Sequence, residues 1–265
     1  MIILDGKKLS ETILERLKKE IKNRRLKLKL AVVLVGKDRA SRIYVKKKEL
    51  ACKKIGVGFE LYRFNSRIKD NRLEKKVKKM AEDSENSGIV IQLPLPKKMN
   101  SEKVLNIIPG KKDVDVLSKN SFEKFAEDKL PILPPTVAAV FYFLNNYRIK
   151  LKKKYVVIVG AGRLVGKPLA AWLRRQSVNF SILDKNTEDL SYFTQKADIL
   201  ITGVGKPDLI KGDMVKIGVI VIDVGGDVNF KSVSKKAAYI TPTIGGVGPM
   251  TVACLLENLV KLNSK

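Results

Sequence analysis

Two rhythms of apolar residues alternate along the first half of the chain. Residues 30–36, LAVVLVG, form a continuous apolar run of the length and composition of a buried strand. Residues 40–55 follow with Ile43, Leu50 and Ile55 spaced among charges, which predicts a helix. GFELYRF then reads as a strand, NRLEKKVKKMAED as a helix, and GIVIQLPLP as a strand ending in prolines. Strand–helix alternation of this kind predicts an α/β fold with a mainly parallel sheet and helices on both faces.

The rhythm breaks over residues 125–136, FAEDKLPILPPT, where closely spaced prolines oppose regular structure. Helical spacing resumes at VAAVFYFLNNY. YVVIVG opens a second α/β series that continues through FSILD, ADILITGVG, VIVIDVGG and AAYITP. The last segment, GPMTVACLLENLVKL, is apolar at helical spacing, with Pro249 near its first turn.

Composition narrows the chemistry. A chain of 265 residues with 45% apolar content can bury a sizeable core as two modest domains or one large unit. No apolar run approaches the ~20 residues that span a bilayer, and MIILDGKKLS does not read as a secretory signal, so a cytoplasmic location is expected. Cys52 and Cys254 form no disulfide framework and are expected to be small buried side chains in a reducing compartment. The absence of histidine removes a Ser-His-Asp triad, a Cys-His pair and His-based zinc sites, and no metal site is expected. Proton transfer therefore falls to Lys, Asp, Glu, Tyr, Cys or water. The net charge of +26 invites a nucleic-acid-binding reading. However, the lysines recur in amphipathic segments such as ERLKKEIKNRRLKLK and YVKKKELACKK, and few of the 6% aromatic residues alternate with them. Solvated helix faces account for the charge better.

VVIVGAGRLVGKPLAAWL is a strand, a glycine-rich turn and a helix. Gly160, Gly162 and Gly166 allow a tight turn and close approach of backbone to a pyrophosphate at a helix N-terminus. Asp184 ends the next strand, where a dinucleotide fold places an acid against the ribose hydroxyl. Dinucleotide binding follows.

The chain as a whole resembles the bifunctional methylenetetrahydrofolate dehydrogenase/methenyltetrahydrofolate cyclohydrolase family. The likeness is carried by SRIYVKKKELACKKIG, GIVIQLPLP, KDVDV, VGAGRLVGKP, ADILITGVGKP, VIVIDVG and YITPTIGGVGPMTVACLLEN, in the family's order. It implies an N-terminal α/β catalytic domain (residues 1–135, completed by a C-terminal helix, residues 250–265), a Rossmann-type NAD(P)-binding domain (residues 136–249), and a folate cleft between them. It implies a folate substrate, a homodimer, and no membrane or nucleic-acid partner.

The resemblance also assigns roles. The family's Y-x-x-x-K matches Tyr44 and Lys48, four residues apart on one helix face, whereas Lys46 and Lys47 are expected to point elsewhere. A lysine acting near neutral pH needs its pKa lowered, by burial or by positive neighbours such as Lys46 and Lys47. Gln92 matches the glutamine that bonds the catalytic lysine. Asp115 matches the acid that grips the amino-pyrimidinone edge of the pterin, and Asp113 is expected to be structural. Gly245, Gly246, Val247 and Pro249 match the GGVGP segment close to the substrate. On the cofactor side the expected set is Gly160, Gly162, Arg163, Val165, Gly166, Asp184, Lys185, Thr187 and Gly203.

The chain departs from the family's pattern at several points: Gly162 stands where Ser is common, Asp184 where His is common, Val116 where Gly follows the acid, and Ile244 where Pro is usual. IDVGGDVNF is short of an insertion. The family favours NADP, whereas Asp184 favours NAD and Arg163 and Lys185 offer charge for a ribose phosphate. A member with an impaired dehydrogenase step, retaining cyclohydrolase activity alone, is the alternative reading.

Overall fold

The computed structural model describes residues 1–264. The chain begins β1 (Ile2–Ile3), α1 (Gly6–Asn23), β2 (Lys29–Val35), α2 (Arg39–Ile55), β3 (Gly58–Phe64), α3 (Asp70–Glu82), β4 (Gly88–Ile91), α4 (Ser101–Leu105), α5 (Lys119–Ala126) and α6 (Pro135–Asn146). It continues β5 (Tyr155–Val159), α7 (Gly166–Arg175), β6 (Asn179–Leu183), α8 (Leu190–Thr194), β7 (Ile199–Thr202), β8 (Ile220–Asp223), α9 (Phe230–Val233), β9 (Tyr239–Ile240) and α10 (Val247–Leu262). No helix among the described residues is long and apolar enough to cross a membrane.

Two compact units divide the chain. One comprises Ser10–Pro135 and the chain from Val252 onward. Its sheet has three parallel strands in the order β3-β2-β4. Every residue of β2 after Lys29 is buried, as expected for a central strand covered on both faces. Leu73, Val77 and Met80 of α3 pack with Val33, Ile89 and Ile91 in its core. The C-terminal helix closes this unit from its own polar side chains. Asn258 Nδ2 donates to the Val114 and Leu133 carbonyls (2.9 and 2.8 Å), and buried Glu257 pairs with Arg16.

The other unit comprises Met1–Leu9 and Thr136–Thr251. Its six parallel strands run β1-β9-β8-β7-β5-β6. The order reverses at β5, from which the chain goes first to β6 and later to β7. A parallel sheet binds ligands outside the carboxyl ends of strands at such a switch point, here in the loops after β5 and β7.

Three details differ from the sequence reading. Residues 1–9 belong with the dinucleotide-type unit rather than with the N-terminal domain. Ile2 and Ile3 pair in parallel with Tyr239 and Ile240, and the Tyr147 hydroxyl accepts from the Asp5 amide (2.9 Å) and donates to the Ile3 carbonyl (3.1 Å). A strand of two residues has no detectable period. The second difference is Pro135, which starts α6 instead of preceding it, because a first helical residue needs no amide hydrogen. Third, Ile43 and Leu50 of α2 are exposed (47% and 55%), so they do not mark its buried face.

Candidate active site

The buried stripe of α2 contains Ser41, Val45, Lys48, Cys52 and Ile55, at steps of three and four. Asp38 caps the helix by accepting from the Ser41 amide (2.7 Å), and Gly56 ends it in a left-handed conformation. Lys48 is therefore the one lysine of the run 46–48 that the helix turns inward. It is 8% exposed, whereas Lys46 and Lys47 are exposed.

Gln92 follows β4, and its amide continues the sheet by donating to the Val33 carbonyl (2.9 Å). Lys48 Nζ donates to Gln92 Oε1 at 2.8 Å. Gln92 Nε2 donates to the Leu93 carbonyl at 2.8 Å, which fixes the amide with its oxygen toward the lysine. The peptide bond before Pro94 is cis. Burial pulls the Lys48 ammonium below its usual range, and the nearby Asp115 charge opposes that shift. Burial likewise pushes the Asp115 carboxyl up while Lys48 pulls it down. The shift of Lys48 thus has burial as its leading cause, not the positive neighbours Lys46 and Lys47. Lys46 instead pairs with Glu49 (3.0 Å), and Lys47 Nζ sits 5.3 Å from the Tyr44 ring centroid. Lys47 is turned toward Tyr44, against the expectation that it points elsewhere. Tyr44, one turn before Lys48, keeps 36% of its surface exposed. One turn after Lys48, burial pushes the Cys52 thiol up to about 12; both cysteines are buried and unbridged.

Asp115 is presented by a loop that Asp113 organises. The Asp113 carboxylate accepts from the Leu117 and Ser118 amides (3.2 and 2.9 Å) and is 1% exposed. Val116, next to Asp115, has φ +56° and is 1% exposed. A β-branched residue in this left-handed region is strained by about 1–2 kcal/mol, which explains why glycine suits the position. Consequently Val116→Gly should be more stable than Val116→Ala by roughly 1 kcal/mol in denaturant melts, although alanine removes less side chain.

In the other unit, Gly160 lies at φ +105° directly after β5, and Gly166 begins α7. A Cβ on Gly166 would fall 1.9 Å from the Gly160 carbonyl oxygen, so only glycine permits this closure. A Cβ on Gly162 would meet nothing within 4 Å, which leaves open space above the turn. The exposed Arg163 lies in the same turn, whereas Val165 is buried. Gly203, after β7, faces Val165: its Cβ would come 2.4 Å from Val165 Cγ1. Asp184 is exposed just after β6. Its amide donates to Thr187 Oγ1 (3.1 Å), and its carboxylate accepts from the Asn186 amide (2.9 Å), with Lys185 exposed beside it. A tight glycine turn, open space above it and a ten-residue helix starting there fit a dinucleotide pyrophosphate.

Gly245 has φ +86°, and its carbonyl accepts from the Lys7 amide (2.8 Å). Gly246 packs so closely on Gly6 that a Cβ on Gly6 would lie 1.9 Å from the Gly246 carbonyl oxygen. Val247 opens α10 and is buried, and Pro249 is in its first turn. Tyr44, Lys48, Gln92 and Asp115 thus belong to one unit, and Gly245, Gly246 and the glycine turn to the other. Sequence reasoning passed over Gly6, whose only signal is DG before a helical pattern. It also assigned no role to the buried acids Asp223 and Asp227, although both lie in IDVGGDVNF. Among the described residues no group of three or more Cys, Asp or Glu is placed to hold a metal ion.

Comparison with known proteins assigns both regions to one family. Residues 4–115 match the tetrahydrofolate dehydrogenase/cyclohydrolase catalytic domain, and residues 134–265 match the NAD(P)-binding domain of the same family. The bifunctional protein FolD of Nautilia profundicola is 45% identical over 274 aligned positions, covering 98% of this chain and 96% of that protein. The crystal structure of the bifunctional FolD methylenetetrahydrofolate dehydrogenase/cyclohydrolase from Campylobacter jejuni superposes with a TM-score of 0.94 at 40% identity, covering 100% of this chain and 99% of that one. That of the Trypanosoma brucei enzyme, complexed with NADP and an inhibitor, gives 0.95 at 29% identity, covering 100% and 97%. The chain belongs to the tetrahydrofolate dehydrogenase/cyclohydrolase family.

Proposed function

We infer that this protein oxidises 5,10-methylenetetrahydrofolate to the 5,10-methenyl cation and hydrolyses that cation to 10-formyltetrahydrofolate. The observation that carries the reading is the buried Lys48 ammonium at 2.8 Å from Gln92 Oε1, on the same helix as a partly exposed tyrosine ring. When bound, the nicotinamide supplies the hydride acceptor. The protein's residues supply position and proton transfer.

In the hydrolytic step, water oxygen bonds to the cationic one-carbon unit and loses a proton. Burial favours the neutral form of Lys48, which can accept that proton and return it to the ring nitrogen as the carbon–nitrogen bond breaks, while the hydroxyl proton of the adduct is released to solvent as the formyl carbonyl forms. Gln92, locked by its bond to the Leu93 carbonyl, holds the amine in direction. Asp115 offers two oxygens to the N–H fork of the pterin's amino-pyrimidinone edge; burial pushes its carboxyl up, and a charged Lys48 opposes that rise. Tyr44 presents its ring to the flat part of the substrate. On the dinucleotide side, Gly160, Gly162, Gly166 and Gly203 provide backbone approach, with Arg163, Val165 and Thr187 around them. Asp184 at the end of β6 supports NAD over NADP, because an acid bonds the free ribose hydroxyl and repels a phosphate. Gly245, Gly246, Val247 and Pro249 are proposed to approach the folate, and the homodimer implied by the resemblance is part of this proposal.

The test is one assay run with NAD and with NADP, following reduced nicotinamide and methenyltetrahydrofolate in parallel. Both signals should appear, with the lower KM for NAD. Absence of the methenyl signal with either dinucleotide would remove the dehydrogenase activity and leave the cyclohydrolase alone.

A further inference from the structure

The loop after β7 forms a wall beside the glycine turn. Gly203 packs on Val165, and a Cβ on Gly160 would come within 2.9 Å of the Gly203 carbonyl oxygen. The backbone of residues 203–206 is held from behind, by an acid on a different loop. Asp227 is fully buried, and its carboxylate accepts from two amides of that wall: Val204 N–H to Oδ2 at 2.8 Å and Lys206 N–H to Oδ1 at 2.6 Å.

Asp227 is itself fixed by a second buried acid. Asp223, the last residue of β8, accepts at Oδ1 from Thr202 Oγ1 (2.8 Å), the Gly226 amide (2.8 Å) and the Asp227 amide (2.9 Å). Its Oδ2 accepts from the Val228 amide (3.1 Å), and its own amide donates to Thr241 Oγ1 (2.8 Å). The two carboxylates and the Asp223 amide thus tie the ends of β7, β8 and β9 into one network. Hydrogen bonds from backbone amides to carboxylates are about twice as strong as neutral ones, and a buried network fixes geometry when all its members are paired.

We propose that Asp227 is the positioning residue of the dinucleotide site: its carboxylate, oriented by Asp223, sets the wall of residues 203–206 against the glycine turn. This rests on the dinucleotide reading given above. The short link in IDVGGDVNF has a role in the same device. It carries Asp227 back under the β7 loop within four residues of Asp223, close enough for one carboxylate to accept from the other's amide. Gly225 is part of it too, since a Cβ there would lie 2.4 Å from Asp227 Oδ2 and 2.8 Å from the Gly205 amide nitrogen.

The experiment measures dissociation constants of NADH and NADPH by fluorescence, together with hydrolysis of supplied methenyltetrahydrofolate, for the wild type, Asp227→Asn and Gly225→Ala. Asparagine keeps the shape but turns an N–H toward a backbone donor; alanine displaces the same carboxylate from the other side. Each variant should bind the preferred dinucleotide about tenfold more weakly or worse. KM for the oxidised form should rise more than kcat falls, and hydrolysis should stay within twofold, because Lys48, Gln92 and Asp115 lie in the other unit. Unchanged affinity in folded variants overturns the proposal. So does a proportional loss of both activities, which marks a merely structural acid. If Asp227→Asn does not fold, Gly225→Ala is judged alone by the same criteria. A wild type that binds neither dinucleotide overturns the functional reading, and this proposal with it.

Discussion

Lys48→Met should lower hydrolysis of supplied methenyltetrahydrofolate by about 10²–10⁴-fold, the range of a lost general acid–base group. Methionine retains the length and apolar body of the side chain, so the buried stripe of α2 stays filled while the amine disappears. The stability effect has the opposite sign. Burial pulls the folded pKa of Lys48 below its unfolded value near 10.5, so the folded protein binds that proton less tightly than the unfolded chain. The lysine therefore opposes folding below its folded pKa, and that penalty fades as pH rises toward 10.5. At neutral pH Lys48→Met should melt no lower than wild type while hydrolysing far more slowly. In the wild type, hydrolysis should rise with pH as the shifted lysine loses its proton, and Lys48→Met should lose that limb of the profile.

The neighbouring lysines supply the control. Lys46 is exposed and paired with Glu49, so Lys46→Met should leave kcat within a factor of two. Lys47 lies over the Tyr44 ring, so Lys47→Met should act on KM rather than on kcat. Equal losses in all three variants would mean that the run acts only through its charge, and the assignment to Lys48 would be wrong.

How far these assignments were legible in the sequence depends on where their physical cause lies. The strands β2, β4, β5, β7 and β8 could be read because a buried parallel strand needs a continuous apolar run. The glycine turn could be read because chain geometry forces its residue types. The inward lysine had a signal as well: Val45, Cys52 and Ile55 define a stripe in which Lys48 falls at the correct step. The exposed Ile43 and Leu50 pointed to another face, because an apolar residue outside is common and only its buried partners tell which side is in. The cause of the lysine's shift could not be read, since desolvation depends on what folds over a side chain, not on its neighbours in the chain. Asp227 was illegible for a similar reason. A buried acid paired with backbone amides about twenty residues away, at Val204 and Lys206, leaves no periodic trace. Val116 shows an intermediate case: a departure from the family's glycine flagged the backbone, and only the dihedral angle showed that the chain tolerates valine in a glycine conformation.

Gly166→Ala should abolish dinucleotide binding at accessible concentrations, a loss of roughly 100-fold or more, while methenyltetrahydrofolate hydrolysis persists. The added methyl group would stand 1.9 Å from the Gly160 carbonyl oxygen and 2.9 Å from the Ala161 Cα. Both obstacles are backbone, so no side chain can swing away. Either the first turn of α7 must retreat or the turn after β5 must open, and both movements separate the amides that face a pyrophosphate. Gly160 cannot compensate, because its φ of +105° already depends on the absence of a side chain and its neighbour Gly203 is pressed against Val165. Gly162 offers the contrast within the same turn. A Cβ there meets nothing within 4 Å, so Gly162→Ser should fold and melt like wild type. Fluorescence titration with reduced dinucleotide, with thermal melts of all three proteins, separates the two glycines. If Gly166→Ala retains wild-type affinity, the turn between β5 and α7 does not hold the dinucleotide. If it loses affinity and hydrolysis together, the closure of Gly166 on Gly160 supports the fold of the whole chain and is not specific to that site.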